Sequence, residues 1–260
     1  MTKKGANHAR DLLKVFCLNL RFGLADDGAN SWQRRKQIYP ELLKTYPSDF
    51  YGFQEANDFQ ITDLQDLLDG GWHFIGQRIP APEYWQNNVI FHHRRWTCLD
   101  HQHFYLSDTP DVPSKFKASQ WPRQCTMGTF QWHRHRLTVI NTHFDFKPEV
   151  QRQSALLILR RLAQIEPRWP VILMGDLNAG PQSSCLSELM ASPNGFKSVL
   201  WPPVMGTHHE FRGVAQGDPI DWILYRGDIE KRDSRIVTDA SHGRYPSDHF
   251  PLTAVFRFEK

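Results

Sequence analysis

The chain has 260 residues, a mass of 30.4 kDa and 40% hydrophobic residues, enough for one large domain with a packed core. Its net charge of +3 and pI near 8.7 are mild for a protein that lives by gripping nucleic-acid backbone, so charge leaves the substrate class open. No apolar run approaches the roughly 18 residues of a spanning helix, and the basic N-terminus enters an apolar run too short for a signal peptide.

Cys17, Cys98, Cys125 and Cys185 share no metal-binding spacing and read as buried thiols of a reducing compartment. The expectation is a cytoplasmic protein forming a single domain over 1–260, with 1–12 flexible, no linker or repeat, and a monomeric state.

In chain order, a strand over 14–18 ends in Asn19 and is followed by a Gly/Asp/Asn-rich loop over 22–30. Ser31 caps a helix through Ile38, which passes Pro40 only by a kink or a new first turn. A strand over 50–54 delivers Glu55, and a helix over 58–68 is closed by Gly70-Gly71. Residues 73–146 read as short strands separated by turns, one of which ends in Asn141-Thr142-His143. The clearest helix spans 149–165, with Val150, Ala155, Leu156, Leu159 and Leu162 as its apolar stripe. The run 171–174 ends in Gly175-Asp176-Leu177-Asn178; later, residues 218–220 lead to a strand opening on Asp221, and 245–247 to Asp248-His249 and a last strand. Strands with helices at only two or three places, lacking regular βαβ alternation, predict an α+β sandwich of mostly antiparallel sheets.

The chemistry sits at the strand ends. Asp176 and Asn178, two residues apart, are expected on one face of an extending strand, where a carboxylate and an amide position and deprotonate a water beside a scissile phosphate. One such strand end is an ordinary turn, but six in order predict a site assembled at one sheet edge from distant residues.

As a set, these segments resemble the endonuclease/exonuclease/phosphatase superfamily. Residues 104–110, 123–126, 206–211 and 245–251 are similar to a bacterial branch of it, and the stretch from Asn30 to Lys36 to eukaryotic deadenylase relatives. The resemblance implies a DNase I-like four-layer α/β sandwich, with two mostly antiparallel β-sheets face to face and helices outside. It implies a Mg²⁺ site on Glu55 and Asn19 with Asp248 near the metal, and Mn²⁺ able to substitute. Asp176 and Asn178 match the pair that activates water, His249 the histidine against the phosphate, and Asp221 the carboxylate that orients it. His143 matches a histidine that stabilises or protonates the leaving oxygen. Asn141 is expected to hold the phosphate or a neighbouring loop, Asp145 to reach the site or a second metal, and Arg123 and Tyr105 to contact substrate.

The implied activity is water-dependent phosphodiester hydrolysis, nuclease-like. The alternatives are a phosphatase or phosphodiesterase for a small phosphorylated sugar, nucleotide or lipid head group, or a non-catalytic binding module. Residues 76–88, with Arg78, Glu83, Tyr84 and Trp85, are expected to line the substrate cleft. Trp85, Trp96, Trp121, Trp132 and Trp201 are read as core or rim before base-stacking residues.

Overall fold

The computed structural model describes residues 12–165, 169–191, 194–203 and 205–259. Its strands are β1 (Leu12–Asn19), β2 (Phe50–Ala56), β3 (Trp72–Ile75), β4 (Asn87–His93), β5 (Thr97–Tyr105), β6 (Gln124–Trp132), β7 (His135–His143), β8 (Val171–Asp176), β9 (Lys197–Ser198), β10 (Asp221–Arg226), β11 (Ile229–Ile236) and β12 (Leu252–Phe258). The α-helices are α1 (Trp32–Arg35), α2 (Tyr39–Thr45), α3 (Asp58–Leu68), α4 (Pro148–Leu162) and α5 (Ser184–Leu189).

The strands build two six-stranded sheets, ordered β11-β12-β1-β2-β4-β3 and β5-β6-β7-β8-β10-β9. Each sheet is antiparallel except for a central parallel pair, β1 with β2 in the first and β7 with β8 in the second. Strand alternation divides the apolar side chains among three layers. In β1, Leu13, Val15 and Cys17 face the space between the sheets, while Phe16 and Leu18 pack under the helices. In β8, Ile172 and Met174 face between the sheets and Leu173 faces α4 and α5. Three apolar layers between four layers of secondary structure make the DNase I-like α+β sandwich.

The helices follow the sequence with shifts. A 3-10 turn over Lys36–Ile38 separates α1 from α2, and Pro40 falls in the first turn of α2, where its missing N–H costs nothing. In α4 the buried stripe is Val150, Ser154, Ala155, Leu157, Ile158 and Leu162, so the expected Leu156 and Leu159 lie at its partly exposed margin. Of the segment 1–12, residues 1–11 lie outside the described residues and Leu12 already belongs to β1. All four cysteines are free, and Cys98 is partly exposed where burial was expected. Among the described residues no helix is long and apolar enough to cross a membrane.

The core contains a titratable group that ties stability to pH. His92 of β4 is buried against Phe130, with Nδ1 3.1 Å from the Trp96 carbonyl oxygen. Burial, reinforced by His73, pushes its pKa from 6.5 down to about 4. His209, stacked on Phe250 at 3.9 Å, is pushed by burial to about 4 as well. Below pH 6.5 the unfolded chain takes up protons that the folded chain refuses, so this stability is whole above pH 6.5 and lost as pH falls towards 4. The melting temperature is expected to drop across that window, and the drop to be smaller in His92→Gln; a parallel profile for the variant would remove His92 as a cause.

Candidate active site

The parallel pairs end, and their antiparallel neighbours begin, at one edge of the sandwich. Asp176 is in register with His143 on one side and Asp221 on the other, while Cys17, two residues before Asn19, is in register with Leu252, just after the Asp248-His249 turn. The inter-sheet columns of the core therefore become polar as they reach this edge. Leu13, Val15 and Cys17 lead to Asn19, Ile172 and Met174 to Asp176, and Leu137 and Val139 to Asn141 and then His143.

Two residues reach the site by breaking alternation. After Phe53, which packs under the helices, a regular strand would send Glu55 towards that same face. Instead the β2–β4 register shifts between Phe53 and Ala56, Glu55 takes φ 58°, and its Oε1 accepts from Asn19 Nδ2 at 3.1 Å. Asn178 was expected to extend the strand alongside Asp176. The strand stops at Asp176, and Asn178 enters a left-handed turn at φ 48° in which its N–H donates to Asp176 Oδ1 at 2.9 Å.

Charge crowding dominates the electrostatics. His249 Nδ1 donates to Asp221 Oδ2 at 2.8 Å, and its Nε2 lies 3.9 Å from Asp176 Oδ2. Burial opposes an imidazolium here, yet Asp221 first, then Asp176 and Asp248, raise the His249 pKa well above the histidine range. Burial and the neighbouring Asp221 charge push Asp176 up, against the pull of His249, Asn19 and the Asn178 N–H. Burial also works on Asp248, but His208, His249 and Arg21 outweigh it and hold that carboxyl below the usual range. His143 is buried with Arg123 Nη1 3.1 Å from Nδ1 and Asn178 Nδ2 3.0 Å from Nε2. Donor nitrogens at both ring nitrogens resist a second proton, and burial followed by the Arg123 charge lowers its pKa far below 6.5.

The sequence pattern of the endonuclease/exonuclease/phosphatase family matches residues 17–249, from β1 to this histidine. The chain belongs to that family. Its fold is similar to a family member from Bacteroides vulgatus, with 25% identity, a TM-score of 0.88, and coverage of 95% of this chain and 99% of that one. It is similar to a Bacteroides thetaiotaomicron mannosyl-6-phosphatase, with 25% identity, a TM-score of 0.85, and coverage of 95% and 100%. The human nocturnin catalytic domain, at 19% identity, shares the fold with a TM-score of 0.76 over 96% of this chain and 94% of that one. No curated protein matches the sequence significantly. The family spans nucleases and phosphatases, so the activity class is a phosphoester hydrolase.

The structure relocates several residues that the family pattern had assigned. Asn141 sits one step deeper in its column than His143, wholly buried between the sheets and bonded to its neighbours. Its Nδ2 donates to the carbonyls of Phe53 and Val89 at 2.8 Å each, and its Oδ1 accepts from Gln54 Nε2 at 2.5 Å. Asn19 turns its nitrogen to the carboxylates, donating to Glu55 and, at 2.9 Å, to Asp176, because its Oδ1 is taken by the Arg21 N–H at 2.8 Å. In this orientation it bridges two acids. Tyr105 lies behind Trp85, with ring centroids 6.1 Å apart, away from the cavity wall. Asp145 is spent on a loop, accepting from Ser119 Oγ and the N–H groups of Gln120 and Trp121 at 2.8, 2.8 and 3.3 Å.

Asp248 reaches the site beside two basic side chains, its Oδ2 3.7 Å from Arg21 and 3.6 Å from His208. Neither partner was singled out from sequence, although Arg21 stands two residues after Asn19 and His208 lies inside the branch-like segment 206–211.

The carboxylates adjoin a cavity of about 500 Å³ lined by Arg21, Glu55, Arg123 and His143 with aromatic walls. Glu55 and Asp176 meet at the Asn19 amide and Asp248 at Arg21, hard oxygen donors of the kind that Mg²⁺ or Mn²⁺ takes, while His208, Asp248 and His249 come within 4.8 Å of one another. Asp176, Asp221 and His249 also come within 4.8 Å of one another, but His249 Nδ1 is committed to Asp221, which makes that group an ion-pair triad. Removing the Asn141 amide strands the Phe53 and Val89 carbonyls between the sheets. Asn141→Ala is expected to lower unfolding stability by about 2–4 kcal/mol, read from the urea midpoint; an unchanged midpoint would return this side chain to the substrate.

Proposed function

We propose that the chain hydrolyses a phosphodiester by in-line attack of a water activated by Asp176, with Mg²⁺ as its metal and Mn²⁺ able to substitute. The observation that carries this reading is the Asp176 carboxylate, buried beside Asp221 and His249, aimed by Asn19 and the Asn178 N–H, and 3.4 Å from His143, which lines a cavity together with Glu55 and Arg123.

Asp176, pushed up by burial and by Asp221, is basic enough to take the proton of water. His249 is an imidazolium whose Nδ1–H is held by Asp221, which leaves Nε2–H for a non-bridging phosphate oxygen as charge builds there. Arg123 lines the cavity with a planar guanidinium suited to a second phosphate oxygen. Burial and the Arg123 charge favour a neutral His143, a ring poorly suited to protonate a leaving oxygen. Asn178 steadies both Asp176 and His143. Glu55 would hold the metal with Asp248 in support and waters completing its shell, and the bound ion would neutralise phosphate charge.

A second reading, a phosphatase for a small phosphorylated molecule, is favoured by a cavity of small-molecule size. Four free cysteines fit the reducing, cytoplasmic setting expected from sequence.

The deciding experiment compares plasmid DNA, single-stranded RNA and small phosphate esters with Mg²⁺, Mn²⁺ or EDTA. Asp176→Asn is expected to lower turnover about 10²–10⁴-fold without lowering the melting temperature. Near-native turnover in that variant would overturn the assignment. Glu55→Gln is expected to raise the Mg²⁺ concentration needed for half-maximal activity, and an unchanged metal dependence would move the ligand role elsewhere.

A further inference from the structure

The cavity has walls that the hydrolytic groups do not use. Trp121 and Phe146 are 53% and 56% exposed, Tyr84 is 66% exposed, and Phe22 and Trp85 complete the lining. Five aromatic side chains around one opening form an apolar patch that a protein leaves uncovered for a ligand.

These rings are held from beneath by buried polar side chains. Asp145 fastens the turn that carries Trp121 through three hydrogen bonds, and Phe146 is its chain neighbour. Asn57, fully buried, donates to the carbonyls of Glu83 and Trp85 at 3.0 and 2.9 Å and fixes the opposite loop. Arg78 stacks on Trp85 at 4.5 Å and Arg123 on Phe146 at 5.6 Å. Both loops are therefore set before any ligand arrives.

Three chemistries fit a phosphoester beside an aromatic wall, and the charges separate them. A quaternary ammonium head group seeks an aromatic cage free of cations, whereas Arg21 and Arg123 line this one. A sugar needs several free polar side chains for its hydroxyls, whereas Asn88 and Gln124 in this lining give their amide N–H groups to the carbonyls of Gln124 and Gln86 at 2.8 and 2.5 Å. A nucleobase offers a flat uncharged ring for stacking and a phosphate for the arginines. The volume of about 500 Å³ admits one such unit and no duplex.

We infer that this cavity stacks a single unpaired nucleobase against Trp121 and Phe146, so that the substrate is a nucleotide phosphoester, free or at a single-strand end. The inference rests on the phosphoester reading of the adjoining site.

Its test is binding, independent of turnover: calorimetry on Asp176→Asn in Mg²⁺ buffer with adenosine 5′-monophosphate, a short single-stranded oligonucleotide, mannose 6-phosphate and phosphocholine. The base-bearing probes are expected to bind at least about tenfold more tightly than the other two, and their order names the source of the base. Adding Trp121→Ala is expected to weaken them about 5- to 100-fold while leaving mannose 6-phosphate unchanged, with Trp121→Tyr restoring affinity. Phe146→Ala provides a second, independent loss. Tighter binding of the sugar phosphate or phosphocholine, equal losses for all probes, or no binding of any base would overturn it. Base binding by a protein that hydrolyses no phosphoester would fail the catalytic reading and leave the cavity assignment standing.

Discussion

Asp176 and Asp221 face one another in register on neighbouring strands, both buried, and the rest of the site is arranged around that pairing. Two carboxylates this close inside a protein cannot both stay charged without compensation. The compensation is His249, which gives Nδ1–H to Asp221 and points Nε2 towards Asp176. The fold thus requires an imidazolium at the position where a phosphate would need one, and it raises the basicity of the carboxylate that would take the proton of water. Register, which the apolar pattern of β8 and β10 sets for reasons of packing, becomes electrostatics two residues later.

The same economy explains why one edge carries all the chemistry. Each inter-sheet column is apolar while it lies between the sheets and turns polar within one alternation of its end, as Met174 gives way to Asp176 and Cys17 to Asn19. Depth in the column then decides the role. His143 reaches the cavity, whereas Asn141, two residues earlier on the same face, is closed in by Gln54 and the carbonyls of Phe53 and Val89 and fastens sheet to sheet.

Much of this was legible in sequence because it depends on period. The strand runs, the break before Pro40 and the ordered polar strand ends follow from alternation and turn chemistry. The site was less legible where the backbone leaves those rules. Nothing in the sequence around Glu55 announces a φ of 58° and a register shift, and an alternating strand would have hidden that carboxylate under the helices. Asn178 arrives by a left-handed turn, not by strand extension. Depth is equally unreadable, since Asn141 and His143 share a face and differ only in how far the opposite sheet extends over them. Trp96 and Trp121 are both tryptophans between short strands, yet one is core and the other stands half exposed at the cavity.

What separates those two tryptophans is a carboxylate distant in sequence. Asp145 sits past the end of the His143 strand, close enough to the hydrolytic groups to pass for one of them, but its bonds go to Ser119, Gln120 and Trp121. The strand that supplies His143 to the chemistry thereby also sets the aromatic wall beside it, so the reacting centre and the surface that selects its substrate are fixed to one rigid element. Asn57 and Asp145 each hold one of the two loops that line the cavity. In this chain those loops present arginine-backed aromatic rings, which makes selection a matter of stacking and phosphate charge.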